Sequence, residues 1–285
     1  MMEKKKEVID FHTHIFPDNI AIKAIPILEN NGHILANTNG CLSGLVNSMK
    51  KANISYSLAL PVATKETQVI SINNFAINVN NHYKEHHVLS FGGMHPLFQD
   101  YKNELDRLKE NGILGIKLHP EYQNTYIDDK SYIDIIDYAF SIGLMVIIHA
   151  GIDIGIDSDI KASPDRILNC KNQLKHEGIF ILAHMGSWDM WDLVYDKILG
   201  KGFYIDTAFS LGEISYKNNI VSMFDEKKFK EFILKQGADY ILFATDSPWA
   251  DQEDYMNKIL NMNIEEEVLD KILFKNAKKL LKIED

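Results

Sequence analysis

Eight short apolar runs alternate with amphipathic stretches, polar side chains gather at the ends of those runs, and glycines precede several of them. These observations predict an α/β fold, a (β/α)8 TIM barrel with a C-terminal helical extension. The strand candidates are Glu7–His14, Ile54–Pro61, Val88–His95, Ile113–His119, Leu144–His149, Ile179–His184, Phe203–Thr207 and Tyr240–Asp246. Runs such as Met145–Ile148 and Ile179–Leu182 are apolar without alternation, as expected of parallel strands covered on both faces. Helix candidates between them include Thr67–Glu85, Tyr101–Asn111, Lys130–Ile142, Pro164–His176 and Lys227–Gln236, with a helical tail from Ile264 to Lys282. Gly112, Gly143, Gly178, Gly202 and Gly237 each follow a helical run, the signal of a helix C-cap.

An open doubly wound sheet is the structural alternative. It usually carries a Gly-rich phosphate loop after its first strand, where this chain reads His12-Thr13-His14. The polar stretch from Asn30 to Gly40 reads as part of a long loop after that strand. With no linker, low-complexity segment or internal repeat, residues 1–285 read as one barrel domain.

The composition is ordinary for a globular protein: 46% hydrophobic and 25% charged. A net charge of −10 with only two arginines, Arg107 and Arg166, argues against a nucleic-acid partner. The Lys4–Lys6 run is better read as a solvated terminus than as a basic tag. No apolar run approaches the ~20 residues of a membrane span, and no signal-peptide core opens the chain. Two distant cysteines, Cys41 and Cys170, match no ligand spacing and suit a reducing cytoplasm. The expectation is a cytoplasmic protein acting on a small molecule, with a homodimer possible only by analogy with other barrels.

The unusual side chains fall where such a barrel works. His12 and His14 end the first strand, Lys117 and His119 the fourth, His149 the fifth, His184 the sixth and Asp246 the eighth. The C-terminal rim is where parallel barrels place their active sites. Strict alternation would put Asp10, His12 and His14 on one face, and Lys117 and His119 on another shared face with Gly115. The intervals of 32, 35 and 62 residues from Lys117 through His149 and His184 to Asp246 match one, one and two βα units. Any single histidine among 11 is more commonly a packed or surface residue, and Asp246 could cap a helix. Several polar groups ending apolar strands are costly without partners, however, and a metal ion supplies one.

The segments IDFHTHIFPD, GIKLHP, VIIHAG, ILAHMG and FATDSPW resemble the strand-end motifs of the amidohydrolase superfamily, in its amidohydrolase 2 branch. The resemblance runs from the first strand to the last. It implies a metal-dependent barrel enzyme whose ion is held by His12, His14, His149 and Asp246. Imidazoles with one carboxylate suit Zn2+ and would accept Mn2+, Co2+ or Fe2+. By the same resemblance Asp246 accepts a proton from an ion-activated water, and His184 polarises the substrate carbonyl or orients the water. Lys117 has two readings. It could be carboxylated and bridge two ions, as in dihydroorotase-like relatives, with His149 and His184 taking the second; or it could hold a substrate carboxylate. One ion is favoured, two being possible.

His119 and Trp249 are the candidate substrate-binding residues. His95, Trp188 and Trp191 lie on the same rim with packing roles equally open. The leading expectation is a hydrolase of an amide, lactone or ester. The alternatives are a non-oxidative decarboxylase, which would want an arginine near the site, and a metal-binding barrel without turnover.

Overall fold

The structure is a computed structural model that describes residues 6–216 and 219–284. Eight strands form the barrel: β1 (Ile9–Thr13), β2 (Tyr56–Ala59), β3 (Val88–Ser90, resuming at Gly92–Gly93) and β4 (Gly115–Leu118). They continue with β5 (Met145–Ile148), β6 (Phe180–Leu182), β7 (Tyr204–Asp206) and β8 (Ile241–Leu242). Each neighbouring pair is parallel. The segment after β8 then meets β1: Phe11 N–H donates to Phe243 O at 2.9 Å and Asp246 N–H to His12 O at 2.8 Å. His14 N–H donates to Ser247 O at 2.6 Å, so the sheet closes, and the open alternative falls.

Helices follow the strands: α1 (Asp18–Gly32), α2 (Leu42–Ala52), α3 (Val69–Asn81), α4 (Tyr101–Glu110), α5 (Lys130–Ser141), α6 (Pro164–Gln173), α7 (Trp191–Lys197), α8 (Glu226–Gln236) and α9 (Gln252–Leu260). A last helical run, Glu266–Asp270, Lys271–Lys275 and Asn276–Leu281, is the predicted tail. Its Ala277, Leu280 and Leu281 join Ile9, Phe11, Leu58, Met145, Ile147 and Leu242 in one core inside the barrel. Ile116, Leu118, Val146, Ile148 and Leu182 belong instead to the larger core shared with the helices. Burying each such side chain is worth about 1.5–3 kcal/mol.

Local chemistry explains several boundaries. The Ser163 hydroxyl accepts from Arg166 N–H and Pro164 occupies the first turn, so α6 starts where its sequence signals place it. Of the opening lysines, Lys4 and Lys5 lie outside the described residues, while Lys6 pairs with Asp270 at 2.7 Å. Of the Asn30–Gly40 stretch read as loop, Asn30–Gly32 forms the end of α1 and the rest is irregular up to α2, and an antiparallel hairpin pairs Glu213–Tyr216 with Asn219–Ser222.

Gly178 serves a different purpose from the predicted C-cap. α6 already ends at Gln173, capped by Leu174 in extended conformation. A Cβ on Gly178 would lie 2.2 Å from Phe140 Cδ1 and 2.9 Å from Phe140 Cβ, so close approach requires the glycine. Gly178→Ala should therefore destabilise the fold by about 1–3 kcal/mol through overpacking, read as a lower midpoint in denaturant. An unchanged midpoint would reject that packing argument.

Candidate metal centre and active site

Strict alternation fails in β1, and the failure builds the site. The pairing of β1 with β2 shifts register between Asp10 and Thr13. Such irregularities re-aim side chains at barrel rims. Asp10 takes no part in the cavity wall: its carboxylate accepts from Thr245 N–H, Thr245 Oγ1–H and Gln252 Nε2–H at 3.0, 2.6 and 2.7 Å. His12, two residues on, lines the cavity with His14. The shared-face expectation for Asp10, His12 and His14 is thus corrected.

The cavity at the C-terminal rim has a volume of about 170 Å3. His12, His14, Lys117, His119, His149, His184, Asp246 and Trp249 all line it, so every predicted site residue reaches one chamber. Trp188 lines it too, whereas Trp191 packs in the core and His95 is buried outside the wall. The predicted ion ligands divide between two clusters. Donor atoms of His12, His14 and Asp246 lie within 4.8 Å of one another; those of His149 group with His119 and Asp153 by the same measure.

The hydrogen bonds fix where protons sit on the rings. His12 Nδ1 lies 2.8 Å from Asp206 Oδ2, and His14 Nδ1 lies 2.7 Å from Leu60 O. Carboxylate and carbonyl oxygens only accept, so in the neutral rings Nδ1 carries the proton and Nε2 is a bare lone pair. Burial holds His12 well below its ordinary pKa, which keeps it neutral. The two Nε2 atoms stand 3.2 Å apart, with Asp246 Oδ1 at 3.0 Å from one and 3.4 Å from the other. Three electron-rich atoms facing one another repel unless a cation lies among them, so this donor set fits a divalent ion. Lys117 Nζ, itself buried and 3.2 Å from His12 Nε2, brings positive charge to the same place. Burial lowers the Lys117 pKa and raises that of Asp206, each partly countered by the other's charge.

Two residues of the site escaped the sequence reading. Asp206 ends β7, and its other oxygen accepts from His184 N–H at 2.8 Å and Ala208 N–H at 3.1 Å, so one carboxylate ties three strand ends together. The rule applied to the other strands, a carboxylate closing an apolar run, would have found it. Asp153 sits in the irregular loop after β5, where no periodicity points to it. His184 has both ring nitrogens engaged: Nδ1 with Ala208 O and Nε2 with His149 Nδ1, each at 3.0 Å. Burial lowers its pKa to about 4. His184 and Asp246 have φ values of 61° and 72°, left-handed conformations that surrounding structure must enforce.

The fold is shared widely. Over 98% of this chain and 99% of theirs, the structure superposes on 2,6-dihydroxybenzoate decarboxylase from Rhizobium with a TM-score of 0.69 at 16% identity. A dihydroxybenzoic acid decarboxylase from Polaromonas sp. JS666, with bound manganese and the inhibitor 2-nitroresorcinol, gives 0.68 at 17% identity, covering 98% and 97% of the two chains. A candidate 2-pyrone-4,6-dicarboxylic acid hydrolase from Pseudomonas putida gives 0.68 at 10% identity over 98% of each chain. Among curated protein sequences no relative matches. A family model described as amidohydrolase matches residues 9–283, from the first residue of β1 past the helix that plugs the barrel, and on that match the chain belongs to the amidohydrolase family of metal-dependent enzymes.

Proposed function

We propose that the protein is a metal-dependent hydrolase of a small amide, lactone or ester, with its ion held by His12, His14 and Asp246. The convergence of two bare imidazole nitrogens and a carboxylate oxygen at 3.0–3.4 Å carries this reading. A bound divalent ion, Zn2+ or Mn2+ for this donor set, would supply Lewis-acid polarisation and an acidified water.

The remaining work belongs to the chain. Asp246, at the cavity wall, accepts the proton of the attacking water and returns it to the leaving group. With Nδ1–H committed to Ala208 O and Nε2 accepting from His149 Nδ1–H, His184 serves in this reading to orient the His149 ring, and it would have to release that contact to orient a water or polarise a carbonyl. Lys117 is held as a point charge on the cavity floor, and His119 and Trp249 flank the substrate. The volume of about 170 Å3 compares with the ~150 Å3 of an apolar cavity that holds benzene, so a substrate of about one ring fits.

Hydrolysis is preferred over decarboxylation because no arginine lines the cavity. Arg166 pairs with Asp128 at 2.8 Å and lies over the Tyr126 ring, while Arg107 pairs with Glu104 at 2.7 Å. Decarboxylation is the second reading, favoured by Lys117 as a buried cation able to meet a carboxylate. A panel of lactones, esters, amides and aromatic or dicarboxylic acids, run in 18O water with carbon dioxide detection, separates the two. Label in the product supports hydrolysis; carbon dioxide release without label rejects it.

Asp206 orients His12 and keeps its proton on Nδ1, so Asp206→Asn should weaken ion binding about 10–100-fold, measured by competition with a chelating dye. Unchanged affinity would remove Asp206 from the centre.

A further inference from the structure

The end of α1 and the loop after β5 meet at the cavity wall through two glycines, Gly32 and Gly155. Gly32 is the last residue of α1 and is buried. Its backbone needs no glycine: the left-handed turn that ends the helix falls on the next residue, His33, with φ 53°. Packing needs none either. A Cβ at position 32 would meet only the flexible side chain of Ile154, Cδ1 at 3.8 Å and Cγ1 at 3.9 Å, ordinary van der Waals contacts. Glycine in a helix costs stability relative to alanine, so this one is unexplained by the fold. What it leaves is space at the cavity wall, and Gly155 faces the same space: a Cβ there would lie 3.8 Å from Gly32 N. We infer that the Gly32–Gly155 gap, with Leu28, Ile34 and Ile154 around it, is a substrate subsite that takes an uncharged apolar substituent of a few carbons, and that residue 32 sets the length admitted.

Chemistry selects the occupant. Leu28, Ile34 and Ile154 are aliphatic and only partly buried, so part of their surface is free to be covered by a ligand. The charged group beside the gap is a carboxylate: Asp153 Oδ1, which accepts from Gly155 N–H at 2.8 Å, would lie 3.2 Å from a Cβ on Gly155. The buried cation of the cavity, Lys117, lies against His12 at 3.2 Å. A substituent ending in a carboxylate would therefore meet aliphatic carbon and a like charge here, which is costly for an unpaired ion. An alkyl group loses nothing and removes apolar surface from water. This subsite rests on the hydrolase reading for the bond that is cleaved, but its fit to an alkyl group does not depend on turnover.

The probe is a series of straight-chain primary amides from propanamide to heptanamide, titrated against the full chain with and without added Zn2+. Binding is read by calorimetry and by the fluorescence of Trp188 and Trp249, which line the cavity. Each added CH2 should tighten binding about 4-fold, or about 10²-fold across the series. Gly32→Ala should shorten the series and Gly32→Val should flatten it, with heptanamide losing at least about 10-fold; both remove a helix glycine, and circular dichroism verifies folding. Adipamic acid, which is hexanamide with its terminal methyl replaced by a carboxyl group, should bind at least about 10-fold more weakly than hexanamide. Affinity that does not rise with chain length, no binding by any member, a Gly32→Val slope equal to the wild type, or adipamic acid binding as well as hexanamide would each overturn the subsite. Assays of the matching 4-nitrophenyl esters keep the two readings apart. Length-dependent amide binding with no ester cleavage upholds the subsite and counts against the hydrolase, whereas cleavage at rates independent of chain length does the reverse.

Discussion

Asp246→Asn should lower kcat by about 10²–10⁴-fold while the protein keeps part of its metal affinity. The side chain has two tasks. One oxygen faces His14 and His12 Nε2, and the carboxylate as a whole lines the cavity where a water would be attacked by base. An amide oxygen can still face the ion, with weaker attraction, but the group no longer takes up a proton. The backbone supports this separation of effects. Asp246 N–H donates to His12 O at 2.8 Å and Asp246 O accepts from Trp249 N–H at 2.8 Å, so the residue stays in place when its charge is removed. Kinetics on whichever substrate the panel identifies, together with metal content, check the expectation. Wild-type turnover in this variant would mean that the proton goes elsewhere, and the assignment of Asp246 as base would be lost.

The barrel was legible because its signals are local and redundant. Unalternating apolar runs at β5 and β6 announce strands buried on both faces, and polar residues closing them mark the rim. α2 was legible too but passed over: Leu45, Met49 and Ala52 make a helical stripe. α1 was harder. It buries only Ala21, Ile25 and Gly32, carries Pro26 in its interior and leaves Ile20, Ile22 and Ile27 exposed, so its apolar residues follow no single stripe. Phe16, Leu28 and Ile34, in and beside it, wall the cavity, which gives that segment apolar residues for a reason other than core packing.

At the site, residue types and their order along the chain sufficed to find the chamber but not the partition within it. His149 was expected beside His12, yet its Nε2 turns toward Asp153 because its Nδ1 is engaged by His184. Ring orientation follows from the neighbouring carbonyl at Ala208, and nothing in the sequence fixes that contact. The register shift in β1 is similarly invisible. It separates Asp10 from His12, a distinction no period-two argument can make.

The largest effect on binding should come from His14→Ala, which is expected to abolish tight ion binding at the His12–His14–Asp246 centre and bring turnover to background. His14 Nε2 is one of the three facing acceptor atoms, and its ring is held by Leu60 O rather than by a charged group. Losing it leaves His12 Nε2 and Asp246 Oδ1, 3.4 Å apart, as a two-atom site. The consequence for stability has an unusual sign. Without a cation, the close approach of His12 Nε2 and His14 Nε2 at 3.2 Å is repulsive, so truncating His14 relieves strain as well as losing packing. The stripped variant should therefore melt close to the stripped wild type. Adding ion at about 100 times its dissociation constant should stabilise the wild type by about 2.7 kcal/mol, because the ion binds the folded chain and not the unfolded one. At the same concentration the variant should gain far less. Thermal melts with and without chelator read both quantities. A variant as strongly stabilised by the ion as the wild type would place the centre on other residues.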